Sequence, residues 1–260
     1  TNTNATFLQN INVGVAITAG KLGIGFTDTN IKVGSGALDS LTTGTHNTAV
    51  GHNALTANTS ANRNTAVGRH ALTANTTGED NVGIGYHALV ENTTGEDNVA
   101  VGSYALDANT TASNNVAIGY YALTSTVTGF NNVAVGVNAL YTNTASNNTA
   151  IGRDALKLST ADNCVAVGSL ALAANSTGAA NVAVGYGALN DNTTGNYNIA
   201  IGGGALDTNT TGDNNVAMGI NALTANTTAD NNTAIGYDAL TANTTGGSNT
   251  ALGKDALRAN

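Results

Sequence analysis

A 17-residue beat runs through nearly the whole chain. It is marked by glycines at 34, 51, 68, 85, 102, 119, 136, 152, 168, 185, 202, 219, 236 and 253. Eleven of the thirteen intervals are 17 residues, and those ending at Gly152 and Gly168 are 16. A fixed short period constrains the fold more than any local signal, because identical units bury identical surfaces by stacking on one another. The two missing residues fall in Asn143-Thr144-Ala145 and Ser159-Thr160-Ala161, where other units read Asn-Thr-Thr-Gly. Turns tolerate length changes and packed strands do not, so each interval is one physical unit.

Positions within the unit differ in character. Ala and Leu follow the anchor glycine by three and four residues in all fourteen units, as at Leu55, Leu72, Leu89 and Leu106. Asn precedes it by four, as at Asn47, Asn64, Asn81, Asn98 and Asn115, with Cys164 the one exception. The residue before the anchor is always Val, Ile, Met or Leu. A 17-residue unit is too short for a helix pair, and Gly, Asn, Thr and β-branched residues disfavour helix. Asn-Val-Ala-Val-Gly reads as a strand of four or five residues, Ala-Leu as the start of a second, and Asn-Thr-Thr-Gly as a turn with Gly or Asn at positive φ. The expected fold is all-β: a parallel β-solenoid, or β-roll, of about fourteen 16–17-residue coils over residues 30–260. Coils stack about 4.8 Å apart, giving a rod roughly 65 Å long. The Asn positions should form side-chain ladders at a buried bend, and Leu should stack on Leu in a thin core.

Residues 1–29 break the period and read as an irregular N-terminal cap or first coil, holding Phe7 and Phe26 of the three Phe. The array runs to Asn260 in mid-unit, so the chain is expected to be part of a longer fibre or to abut another subunit. Proline is absent, which suits a chain that is ladder nearly throughout. With eight Lys and Arg and a net charge of −8, the rod is a poor nucleic-acid binder. No apolar run reaches the 18 residues or so of a transmembrane helix, so no membrane insertion is expected.

The segments Asn98-Val99-Ala100-Val101-Gly102, Asn115-Val116-Ala117-Ile118-Gly119 and Asn181-Val182-Ala183-Val184-Gly185 resemble the head repeats of trimeric autotransporter adhesins of the Yersinia type. The longer unit, with Ala-Leu and Asn-Thr-Thr-Gly, is similar to repeats in bacteriophage tail-fibre and bacterial surface-fibre proteins. The resemblance covers residues 30–260. It implies a left-handed roll, a homotrimer, and an extracellular fibre on a cell surface or virion. A second argument for oligomers is independent of it. Side chains alternate along Val99-Ala100-Val101, so one apolar face fills the coil and the other forms a stripe along the rod. A homo-oligomer covers such a stripe.

Variable positions after the anchor gather aromatics. His70, His87, Tyr104 and Tyr121 share one phase on four consecutive coils, and Tyr86, Tyr120, Tyr186 and Tyr237 share the neighbouring phase. Exposed, they would bind a host-surface glycan or protein; packed, they form a cross-strand ladder or an inter-subunit contact, the favoured reading. Glu79-Asp80 and Glu96-Asp97 stack in adjacent turns, a weak candidate for a hard cation against a solvated turn. No metal or cofactor is otherwise indicated. Asn58, Asn75, Asn92, Asn109, Asn175, Asn192, Asn209, Asn226 and Asn243 fit the N-glycosylation rule, although turn chemistry already asks for Asn and Thr there. No nucleophile, base and orienter combine, and no carboxylate pair faces a cleft, so no catalysis and no catalytic residue is expected. The leading expectation is a structural, adhesive extracellular fibre segment. The alternatives are an ice-binding solenoid using Thr stacks such as Thr76-Thr77, Thr93-Thr94 and Thr110-Thr111, a self-assembling filament subunit, and, last, a polysaccharide-active β-helix.

Overall fold

The structure is a computed structural model that describes residues 22–24 and 29–259. Its backbone is a parallel β-solenoid. Fifteen three-residue strands appear among the described residues, from β1 (Leu22–Ile24), β2 (Ile31–Val33) and β3 (Thr48–Val50) to β15 (Thr250–Leu252). They form one sheet in sequence order. From β2 onward neighbours are parallel and in register; β1 lies antiparallel to β2, with Gly23 opposite Lys32. Apart from β1 and residue 29, the expected cap over 1–29 lies outside the described residues, as does Asn260.

The strands are shorter than the four or five residues expected, and Ala-Leu starts no second strand. Each Leu of that pair sits in the left-handed region instead, at φ +47° to +53°. There it turns the chain and sends its side chain to the coil centre. From Leu55 to Leu240 these leucines are fully buried, and with the inward alanines of the strands they make the core. This explains why every unit has Leu here and never Val or Ile. A β-branched residue is strongly disfavoured at positive φ, whereas the strand position before the anchor takes Val or Ile freely. The anchor glycines lie near φ +138°, and a Cβ at Gly102 would sit 2.5 Å from the carbonyl oxygen of Gly119 in the next coil. No other residue fits.

Positive φ is also absent from the Asn-Thr-Thr-Gly turn where it was expected. It falls two residues later, at Asp80, Asp97, Asn114, Asn131 and their equivalents, just before the ladder Asn. Asx residues tolerate this region better than most, which accounts for their frequency there. Coils bond to one another well outside the strands: Leu55 N–H donates to Ala71 at 3.1 Å and Thr76 N–H to Thr93 at 3.0 Å. Stacking therefore needs little regular strand.

Two Asn ladders tie the corners. Before the strand, each Asn accepts from the backbone N–H of its counterpart one coil on, as Asn81 Oδ1 does from Asn98 N at 3.0 Å, while Asn98 Nδ2 donates to the Ala112 carbonyl at 2.8 Å. After the Leu turn, Asn109 Nδ2 donates to Asn92 Oδ1 at 2.7 Å, and Asn92 Nδ2 to Asn75 Oδ1 at 2.8 Å. Among the described residues, all buried side-chain polar atoms but two, Asn109 Oδ1 and Asn232 Nδ2, are thereby met. The shortened units keep register: Thr149 of β9 (Thr149–Ile151) pairs with Val133 of β8 (Val133–Val135) and Val165 of β10 (Val165–Val167). The turn absorbs the deletion, with Asn143 Nδ2 reaching Ala145 two residues on, where other units reach three.

Candidate binding surfaces

From β3 to β15 each strand has the same cross-section. The middle residue, usually Ala, points inward and is buried; the outer two point outward and are part exposed. In β7 (Val116–Ile118), Ala117 has no exposed surface and Ile118 is 41% exposed. Repeated over fourteen parallel strands, this makes two outward columns of Val, Ile and Thr running the length of the rod. The stripe inferred from strand alternation is there, and in a single copy it faces solvent.

The aromatics occupy the corner where the chain leaves this face. Six of the eight candidates come together. His70, His87, Tyr104 and Tyr121 take αL conformations and form one column, with successive ring centroids 5.1, 5.5 and 5.0 Å apart. His52 and Tyr141 extend it at its two ends, 5.5 and 5.9 Å away. Neither is in phase with the column: His52 directly follows its anchor glycine, as Tyr86 and Tyr120 do, and Tyr141 comes five residues after Gly136. Tyr86 and Tyr120 lean on this column from the sheet side, each 4.2 Å from its chain neighbour, and are 36% and 48% exposed. Tyr186 and Tyr237 stand elsewhere on the rod, Tyr186 68% exposed and Tyr237 beside Lys254 at 5.8 Å. The column itself is a packed ladder, mostly edge-to-face, with Tyr104 and Tyr121 stacked at 19°. Tyr86 and Tyr120 are its open edge.

Local electrostatics follow this packing. The His70 imidazole is held below its usual range by burial, then by Arg69, His87 and His52, so the column disfavours a protonated His70. Tyr121 is pushed up to about 12 by its hydrogen bond with Tyr120 and by burial. Burial also raises Asp107, beneath the column, although the Thr124 hydroxyl donates to it.

The acidic turn is largely spoken for. Arg63, one coil before, holds Glu79 at 2.5 Å and Asp80 at 2.6 Å, and this contact keeps Asp80 below the usual carboxylate range. Glu96 and Asp97 sit one coil further on. Among the described residues no three His, Cys, Asp or Glu are grouped to hold a metal ion. Cys164 fits its ladder: its N–H donates to Asn148 Oδ1 at 2.8 Å, and its thiol to the Gly178 carbonyl at 3.3 Å. Burial raises its pKa, which suits an inert thiol.

All nine Asn of the glycosylation pattern are buried, and each amide nitrogen donates to a carbonyl of its own turn, as Asn58 does to Ala61 and Asn192 to Gly195. In the folded coil none offers the nitrogen to which a glycan attaches. The pattern is turn chemistry. The Thr stacks are divided too. In most pairs the first Thr gives its hydroxyl to the next coil, as Thr76 does to Thr93 at 3.1 Å and Thr93 to Thr110 at 2.9 Å, and the second is exposed.

Among the described residues no helix is long and apolar enough to cross a membrane. No family model matches the chain, and neither a curated protein nor a solved structure is significantly similar to it.

Proposed function

We propose that this chain is a structural segment of an extracellular fibre, on a cell surface or a virion. It is a stiff rod that associates with further copies of itself, three being the number the adhesin resemblance implies, and carries aromatic corners that contact a host or other surface. The observation that carries this reading is the outward apolar face. At about 4.8 Å per coil and about 10 Å of strand width it covers on the order of 600 Å², the upper end of what monomers expose. With its corner residues it approaches the roughly 800 Å² per partner of a standard interface. Outward Val, Ile and Thr in straight columns suit close packing of one rod against another.

An ice-binding face fits less well, because half of the Thr hydroxyls are already committed to neighbouring coils. The chain offers no group of acid, base and nucleophile, so a passive role is the simpler one. Sedimentation equilibrium of the native chain tests the proposal. Three chain masses is the expected result; a single chain mass at micromolar concentration overturns self-association.

A further inference from the structure

The corner position directly after the anchor glycine carries a second period over the first. It is large at His52, Tyr86 and Tyr120, every second coil, and small at Ser35 before them and at Ser103 between Tyr86 and Tyr120, with Arg69 the exception. Ser169, Tyr186 and Gly203 continue the alternation, while Val137 and Tyr237 depart from it. Coils repeat at about 4.8 Å, so Tyr86 and Tyr120 stand about 10 Å apart along the rod axis.

The ring of Tyr104, from the coil of Ser103, touches both flanking rings. It meets Tyr86 edge-on at 5.3 Å and 83°, and Tyr120 at 6.4 Å and 78°. Tyr86 is backed within its own coil by His87, and Tyr120 by Tyr121. Each outer ring is thus braced by its chain neighbour and still part exposed, Tyr86 at 36% and Tyr120 at 48%. The strip is almost uncharged; its cation is Arg69, whose guanidinium lies over the Tyr86 ring 5.8 Å from the centroid, where it can give way to a sugar face and bond its hydroxyls.

We infer that this strip binds an extended, neutral, β-linked polysaccharide lying along the rod. A pyranose presents a face of C–H groups that stacks on an aromatic ring, and its hydroxyls take hydrogen bonds at the rim. In a β-1,4-linked chain each sugar is flipped relative to the last, so the repeat is two sugars. That repeat matches two coils, and alternate sugars fall on Tyr86 and Tyr120. Arg69 and the Tyr hydroxyls supply polar partners beside them. A helical α-linked glucan curves away from a straight strip and meets at most one ring. The inference gives the proposed fibre's surface contact a ligand class and does not depend on self-association.

The test is co-sedimentation of the full chain with microcrystalline cellulose and with chitin, and with granular starch as the α-linked control. Retention on a β-linked polymer and not on starch is expected. Tyr86→Ala with Tyr120→Ala should lower the partition constant roughly tenfold. Ser103→Tyr with Tyr120→Ser keeps the number of rings and halves their spacing, and should lower it as much. No retention on either β-linked polymer, equal retention on starch, or an unchanged constant in either double variant overturns the inference. Circular dichroism and native mass accompany each variant, and Tyr120→Ser alone replaces any that has lost its fold. Retention by a single-chain species would overturn self-association alone; a trimer that is not retained would overturn the glycan site alone.

Discussion

At the scale of single residues, the fold rests on side chains chosen for backbone conformation as much as for size. Leu106 shows this most sharply: it is fully buried, yet its φ is +50°. Leu106→Met keeps an unbranched Cβ and should cost under about 1.5 kcal/mol. Leu106→Ile keeps the volume but places a branched Cβ in the left-handed region, and should cost about 2–3 kcal/mol. Chemical denaturation of the two variants checks the order; Ile tolerated as well as Met would remove the conformational explanation. The core membership of Leu was legible in its phasing, but its conformation was not, because apolar periodicity reports burial and is blind to the sign of φ. A second site tests the ladder. Asn109 Oδ1 is buried without a partner, since the next coil has Thr126 where the Asn amide belongs. Thr126→Asn supplies the missing donor and should raise stability by about 1 kcal/mol, read as a higher denaturation midpoint. A lower midpoint would mean that the Thr126 bond to the Asn143 carbonyl matters more.

At the scale of the coil, strand and turn obey different rules. The strand is only three residues, and its middle and outer side chains face opposite environments. Removing one residue there inverts every side chain that follows within the strand. The turn has no such parity, as the two natural 16-residue coils demonstrate. Deleting Thr94 should therefore leave a folded rod with a modest loss of stability, whereas deleting Ala100 should unfold several coils. Far-UV circular dichroism and limited proteolysis separate the two outcomes, and equal damage from both would mean that turn length is fixed by packing. Most of this architecture was legible, since period, phase and deletion sites all appear in the letters. A third polar ladder was not. Asn62 Oδ1 accepts from Thr45 N at 2.8 Å, Asp162 from Ser146 at 2.7 Å, and Asp213 from Asn196 at 2.6 Å. Asn, Asp and Ser share only an acceptor oxygen, so identity matching sees a variable column where the chemistry is constant. The aromatic column holds six rings where a single phase shows four, for a different reason. His52 and Tyr141 join it in space from other phases of the unit.

At the scale of the whole rod, adjacent residues of one strand should govern two separate properties. Ala117 faces the coil interior and Ile118 faces away from it. Ala117→Lys places a charge in a core with no counter-ion and should cost several kcal/mol, enough to open the coils around it. Ile118→Lys leaves the interior untouched, so its circular dichroism should match the parent's. If copies meet along this face, the new ammonium groups are brought together beside a symmetry axis with no carboxylate on the outward columns to receive them. Like charges at a desolvated contact cost several kcal/mol. Ile118→Lys combined with Ile201→Lys, five coils further on, should reduce the sedimenting mass to one chain while the fold persists. Raising the salt concentration should restore part of the association, because screening weakens the repulsion between partly exposed ammonium groups. A double variant that keeps the parent's mass at low salt would place the contact between copies on another face, and the outward columns would then need a different partner.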